Sequence, residues 1–252
     1  MNSLPKISVI TVCYNAAKTI EQTLESVLNQ TYSFIEYIII DGASTDGTLS
    51  LIEKYRDKIS KLVSEKDKGL YDAMNKGLQQ ATGDYVFFLN ADDLFYDNGV
   101  LEKLAEAANN HNFPDVLYGE AMFMDESGKE LGLRSEQTTQ RVPEQLHWKS
   151  LKHGMVISHQ AFLVKRTAAV SFDMRYRLCA DIDWMIRCLK KAQSCFNTHL
   201  IISKFRMGGL SKQQQKRSWK ERYLILGRHY GHVGNAFRHL YIAWRFLQKR
   251  KA

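Results

Sequence analysis

Between Gly83 and Asp93 the chain reads Gly-Asp-Tyr-Val-Phe-Phe-Leu-Asn-Ala-Asp-Asp. Tyr85 to Leu89 is an unbroken apolar run, too short for a comfortable helix and right for a buried strand. It stops abruptly at Asn90, Asp92 and Asp93. Open α/β sheets bind ligands at the carboxyl ends of their strands, which is where these oxygen-rich side chains fall. Mg²⁺ takes one or two carboxylates and fills its shell with water and substrate phosphates, so Asn90 to Asp93 is a candidate metal-phosphate site. Taken alone, the same residues suit an ordinary turn, because Asn and Asp bond their own backbone. The flanking segments decide between the two.

Lys6 to Val12 reads as a first strand, closed by Tyr14-Asn15-Ala16-Ala17. Thr19-Ile20-Glu21-Gln22 has the form of a capping box and heads a helix that carries Ile20, Leu24, Val27 and Leu28 to near Asn29. Ile35 to Ile40 is a second strand, stopping at Asp41, and Asp41 to Thr48 is all turn chemistry. A helix with Leu49, Ile52 and Tyr55 follows, then a strand at Lys61–Ser64. Leu70, Ala73, Met74, Gly77, Leu78 and Ala81 mark the next helix, before the central strand. Such alternation with short connections predicts βαβ units and a parallel sheet. Tyr14-Asn15, Asp41 and Asn90–Asp93 then converge on one sheet edge as a pocket for a charged, polar ligand. After residue 114 the pattern loosens. Val116–Tyr118 and Ala121–Met124 read as two strands, Leu131–Ser150 as a polar flexible loop, and Ser158–Val164 as a late strand. A helix beginning at Asp181 carries Ile182, Met185, Ile186 and Leu189 on one face.

The net charge of +8 is unevenly placed: residues 212–252 hold eleven Lys/Arg against one acid, Glu221, which leaves 1–211 at −2. The expected division is a near-neutral body, 1–211, and a basic tail, 212–252. Cys13, Cys179, Cys188 and Cys195 have no metal spacing and read as free thiols in a reducing compartment. No apolar run approaches the ~20 residues of a membrane span. Ile7–Val12 is too short for a signal peptide, so the expected location is cytoplasmic.

With these residues assembled, the chain resembles the inverting glycosyltransferases of family 2, which have the GT-A fold. The resemblance rests on an ordered set: Tyr14-Asn15, Asp41 to Thr48, Asp67 to Gly77, Leu89 to Asp93, and Ala180-Asp181-Ile182-Asp183. The sub-type is similar to bacterial colanic-acid and exopolysaccharide transferases. It implies an α/β fold with a Rossmann-like, mostly parallel central sheet flanked by helices, and a C-terminal helical tail. It also implies a nucleoside-diphosphate sugar donor, often a UDP-sugar, with Mn²⁺ or Mg²⁺. Carried onto this sequence, Tyr14 lies against the base and Asp41 accepts from the uracil imide. Asp92 is the metal-binding aspartate, supported by Asp93, while Asn90 replaces the first acid of the family's motif. Asn15, Lys68 and Ala91 complete the donor-binding set. Asp181 is the general base, preceded by Ala180 where the family commonly has glutamate. His159, Gln160 and Asp183 are candidate contacts to acceptor or diphosphate.

The tail from Trp219 to Lys251 interleaves aromatics with eight basic residues. Helices of that kind lie in the headgroup plane of anionic membranes, which suits a lipid-linked acceptor and a peripheral place on the inner face of the plasma membrane. Packing of the same aromatics on the body is the plain alternative. Two other functions bear on the same residues. A non-catalytic sugar-nucleotide or glycan-binding partner is suggested by Asn90 and Ala180 standing where acids are expected. Nucleic acid is not an expected partner, because no matching motif accompanies the basic patch.

Overall fold

The computed structural model describes residues 4–209 and 214–235. Its first half follows the sequence rhythm: β1 (Ile7–Cys13), α1 (Ile20–Leu28), β2 (Ile35–Asp41), α2 (Thr48–Glu53), β3 (Lys61–Ser64), α3 (Leu70–Gln80) and β4 (Tyr85–Phe88). Then come β5 (Leu94–Phe95), α4 (Val100–Asn110), β6 (Val116–Met124), β7 (Glu130–Leu133) and a single turn, α5 (Arg134–Gln137). β8 (Phe162–Lys165), α6 (Ala180–Lys191), β9 (Cys195–Arg206) and α7 (Gln215–Tyr230) finish the described chain.

Among the described residues one sheet runs in the order β3-β2-β1-β4-β8-β6-β9-β5, with β7 paired to β6. β3, β2, β1 and β4 are mutually parallel, so their carboxyl ends share an edge, with Cys13 in register with Asp41. β8 pairs antiparallel to both β4 and β6 and starts the mixed half of the sheet. Side chains alternate across the parallel strands with period two. Ile7, Val9, Tyr37, Ile39, Tyr85 and Phe87 pack with Leu24, Val27 and Leu104 from α1 and α4. Ile10, Val12, Ile38, Ile40, Val86 and Phe88 pack with Tyr71, Met74, Trp184 and Met185 from α3 and α6. The result is three layers, with an apolar seam on each face of the sheet.

Several local expectations give way. Thr19 makes no side-chain cap on α1, and its hydroxyl instead reaches the Ala16 carbonyl at 3.5 Å. The two strands expected at 116–118 and 121–124 are one strand, whose register against β9 shifts on both sides of Glu120. Residues 131–150, expected to be a flexible loop, contain β7 and α5. They are tied down by the buried Arg134, which donates to the carbonyls of Val156 (2.8 Å) and Met155. An arginine bonded to backbone carbonyls orders a segment without leaving any apolar period to read. The twelve residues of β9 were not foreseen, since a bulged strand with His199 at φ 56° breaks the alternation. No described helix is long and apolar enough to cross a membrane.

Candidate active site

The edge where β1 and β2 end is closed by bonds between their two loops. Asn15, in a left-handed turn at φ 49°, donates its N–H to Ser44 Oγ (2.9 Å) and accepts from the Thr45 N–H at Oδ1 (2.9 Å). Asp41 is fully buried, and its carboxylate accepts from Ser44 N–H (3.1 Å), Ser44 Oγ (2.5 Å) and Ser64 Oγ (2.6 Å). That carboxylate is therefore held in place by two hydroxyls and a backbone amide. Next to it, Gly42 is needed for close approach: a Cβ there would stand 2.4 Å from Asp67 Oδ2 and 3.3 Å from the Tyr14 ring. Tyr14 is 64% exposed, an aromatic face that the protein leaves uncovered beside two carboxylates. Lys68 is exposed, and its backbone N–H donates to Asp72 at 3.0 Å.

Beyond β4 the chain turns through Asn90 to Asp93. Asp93 is fully buried and points into the protein, accepting from Gln160 Nε2 (2.6 Å) and the Arg206 N–H (2.9 Å). Burial and the adjacent Asp92 charge hold its pKa well above the usual carboxylate range. Gln160 is thus a strut for this loop, with its amide occupied by Asp93. Arg206, at the end of β9, clamps the same loop: its Nε donates to the Asp92 carbonyl (3.1 Å) and its other nitrogens to the Glu126 carbonyl (2.7 Å) and Gln22 (2.9 Å). No motif marked Arg206, because it closes the strand that the sequence hid.

Asp92 has a raised pKa, mainly from burial, against which the Arg206 charge acts. A cation there would favour its ionised form. Asn90 Oδ1 is buried with no hydrogen-bond partner, which leaves an acceptor at the strand end with its capacity unspent. One carboxylate and one amide oxygen fit a hard divalent ion that draws its remaining ligands from phosphate and water. Among the described residues no cluster of three or more His, Cys, Asp or Glu is placed to hold a metal ion.

The third piece arrives on α6. Trp184 is buried against Phe88, Phe162 and Phe172, with its indole N–H donated to the Val170 carbonyl (2.6 Å), and this seats α6 beneath β4. Asp181, in the first turn, accordingly stands near the β4 terminus. His159 links the two: its Nδ1 lies 3.4 Å from Asp181 Oδ2, and Asn90 Nδ2 lies 3.4 Å from its Nε2. With Asn90 donating to Nε2, the ring proton sits on Nδ1 and faces Asp181. Tyr71 from α3 places its hydroxyl 3.4 Å from Asp181 Oδ1; burial, then the Asp181 charge, raises its pKa well above normal. Asp183, two residues on, has a different fate. It is buried, accepts from Arg187 Nε (2.6 Å) and lies 2.7 Å from His229 Nε2, so its carboxylate is occupied inside the protein rather than open to a ligand. Burial opposes its ionisation, yet the bonds from His229 and Arg187 prevail and lower its pKa.

The arrangement thus combines an exposed aromatic face, fixed carboxylates at the parallel edge, an oxygen-rich strand end and a histidine-linked aspartate. The sequence profile described as glycosyl transferase family 2 matches residues 8–171. A PGL/p-HBAD biosynthesis glycosyltransferase of Mycobacterium tuberculosis is 30% identical over 215 residues, covering 82% of this chain and 79% of that protein. Staphylococcus aureus TarS 1–349 in complex with UDP-GlcNAc superposes with a TM-score of 0.70 at 20% identity, covering 87% of this chain and 65% of TarS 1–349. The mannosyltransferase PcManGT of Pyrobaculum calidifontis, in complex with GDP-Man and Mn²⁺, gives a TM-score of 0.64 at 19% identity over 98% of this chain and 76% of its own. These two structures share the fold, the GT-A arrangement.

Proposed function

Because this chain belongs to glycosyl transferase family 2, we propose that it moves a sugar from a UDP-sugar to a hydroxyl of a glycan or lipid-linked acceptor. The transfer inverts the anomeric centre and serves bacterial surface polysaccharide synthesis. One observation carries the reading: Asn90, His159 and Asp181 form a continuous line of contacts from the end of β4 to the start of α6. A base is thereby set beside the strand end suited to a diphosphate.

Tyr14 covers the nucleobase, and Asp41 and Asp67 supply negative charge beside it. Asp92 and the carbonyl of Asn90 are the groups that would hold Mg²⁺ or Mn²⁺, which when bound supplies Lewis-acid stabilisation of the departing diphosphate. Asp181 takes the acceptor hydroxyl proton while the oxygen bonds to the anomeric carbon and the bond to phosphate breaks. General-base help of this kind contributes ~10²–10⁴-fold. His159, donating from Nδ1, orients the Asp181 carboxylate for that step. Peripheral attachment to an anionic membrane, at the cytoplasmic face, is assigned to the basic tail, 212–252, of which residues 236–252 lie outside the described residues. The described α7 packs on the body, with Ile225 and Leu226 fully buried.

The test is a panel of UDP- and GDP-sugars assayed for Mn²⁺- or Mg²⁺-supported transfer, with product anomers read by NMR and Asp181→Asn as the comparison. The proposal expects inverted product from a UDP-sugar and a loss in kcat of at least about 100-fold in D181N, with UDP affinity kept. Retained transfer by D181N refutes the base assignment. UDP binding with no transfer to any acceptor would favour the non-catalytic binding partner, the reading that Asn90 and Ala180 suggest.

A further inference from the structure

Resting on Asp181 as the base, we infer that α7 is a working part of the transfer site and that Glu221 on it is a positioning residue for Asp181. Glu221 is 8% exposed, and its Oε2 accepts three successive backbone N–H groups: Arg177 (3.0 Å), Leu178 (2.8 Å) and Cys179 (3.2 Å). These residues lead directly into α6, whose N-cap residue, Cys179, provides no side-chain cap, while Ala180 is fully buried and brings no charge. The amides of a helix entrance need acceptors, and an anion there also meets the positive end of the helix. Glu221 satisfies them from another element, so the direction in which the first turn starts is set by α7. Asp181 follows two residues later, and its carboxylate is bound to that turn through the Ile182 N–H (2.9 Å).

The same face of α7 makes further ties. Ser218 Oγ lies 3.1 Å from Cys179 Sγ, and His229 Nε2 lies 2.7 Å from Asp183. Ser218, Glu221, Ile225 and His229 succeed one another at three- and four-residue steps, the spacing of one helical face. Asp181 is therefore bracketed, with α7 gripping residues 177–179 before it and Asp183 after it. Glu221 makes no hydrogen bond to Asp181 itself. It acts through the backbone, where a displacement of about 1 Å can cost ~10²-fold in rate.

The experiment measures transfer by Glu221→Ala and Glu221→Gln, each also made in the Asp181→Asn background, with folding checked by circular dichroism. In E221A, kcat falls about 30- to 100-fold while donor KM stays within about twofold, since the Glu221 carboxylate bonds the 177–179 backbone and not Tyr14, Asp41 or Asp92. E221Q keeps an oxygen acceptor but not the charge, and loses about three- to tenfold in kcat. In D181N, replacing Glu221 brings no further loss, because its effect passes through a carboxylate already gone. A kcat within twofold of the parent in E221Q, a parallel change in donor KM, or an equal further loss in D181N would overturn the inference. Where E221A does not fold, E221Q decides by the same limits. Undiminished transfer by D181N alone would fault the base assignment, a result distinct from any failure at Glu221.

Discussion

Glu36→Gln isolates the part of the sheet that supports the site from the part that works. Glu36 is buried at the amino end of β2. It accepts from Ser8 Oγ (2.7 Å), Thr82 N–H (2.7 Å), Thr82 Oγ1 (2.6 Å) and Lys6 Nζ (3.2 Å), joining β1, β2 and the approach to β4. Burial by itself would raise its pKa, but these bonds together pull it from 4.5 down to about 2. A depression of roughly 2.5 units corresponds to about 3 kcal/mol of stability. Because the folded pKa is the lower one, that contribution is present above pH 4.5 and is lost as pH falls toward 2. Urea unfolding of the wild type and E36Q at several pH values should give a gap of about 3 kcal/mol at pH 7 that closes near pH 2, where Glu36 is neutral too. Glu36 lies five residues before Asp41, about 16 Å along the strand, so kcat of folded E36Q should stay within about twofold. A gap that does not change with pH, or one below about 1 kcal/mol at pH 7, would refute the assignment of the stabilising bonds.

Three further outcomes are expected. Asp183→Ala leaves Arg187 and His229 without their buried carboxylate and should cost about 3–5 kcal/mol in unfolding free energy, with donor KM of the folded fraction kept; a rise in donor KM without loss of stability would place Asp183 against the donor. Tyr14→Ala removes an exposed ring, so the melting temperature should hold while donor KM rises about 5- to 100-fold, the range for an aromatic–base stack. Gly77→Ala would bring a Cβ to 2.4 Å from Ile10 Cγ2 where α3 lies on β1, and should destabilise by about 1–3 kcal/mol in a thermal or urea melt.

The legible part of the molecule is the part built from continuous apolar runs and short turns. β1, β2, β3 and β4 and the helices between them could be read because each segment buries a local stripe and ends in turn residues. That β2, ending at Asp41, and β4, leading into Asn90–Asp92, finish on one edge of the sheet followed from parallel pairing alone. What stayed hidden depends on partners distant in sequence. β9 pairs with β6 across a bulge, Arg134 is ordered by carbonyls 21 and 22 residues away, and Arg206 is recognisable only once Asp93 is known to point inward. Two residues apart, Asp181 and Asp183 cannot share a helical face, but the sequence does not say what either one meets. Their different surroundings come from His159 on one side and from Arg187 and His229 on the other. The sequence division between body and tail was drawn on charge, and charge alone does not register Glu221, the one acid of residues 212–252, whose carboxylate ties α7 to the entrance of α6.

The central claim is that Asp41, Asp92 and Asp181 surround one cavity shared by a nucleoside diphosphate and a divalent ion. Anomalous diffraction from crystals grown with UDP and Mn²⁺ tests it most directly. A manganese peak is expected at ligand distance from Asp92, beside the diphosphate, with uracil between Tyr14 and Asp41 and with Asp181 across the cavity on the acceptor side. A manganese or UDP site away from the ends of β1, β2 and β4 would contradict it.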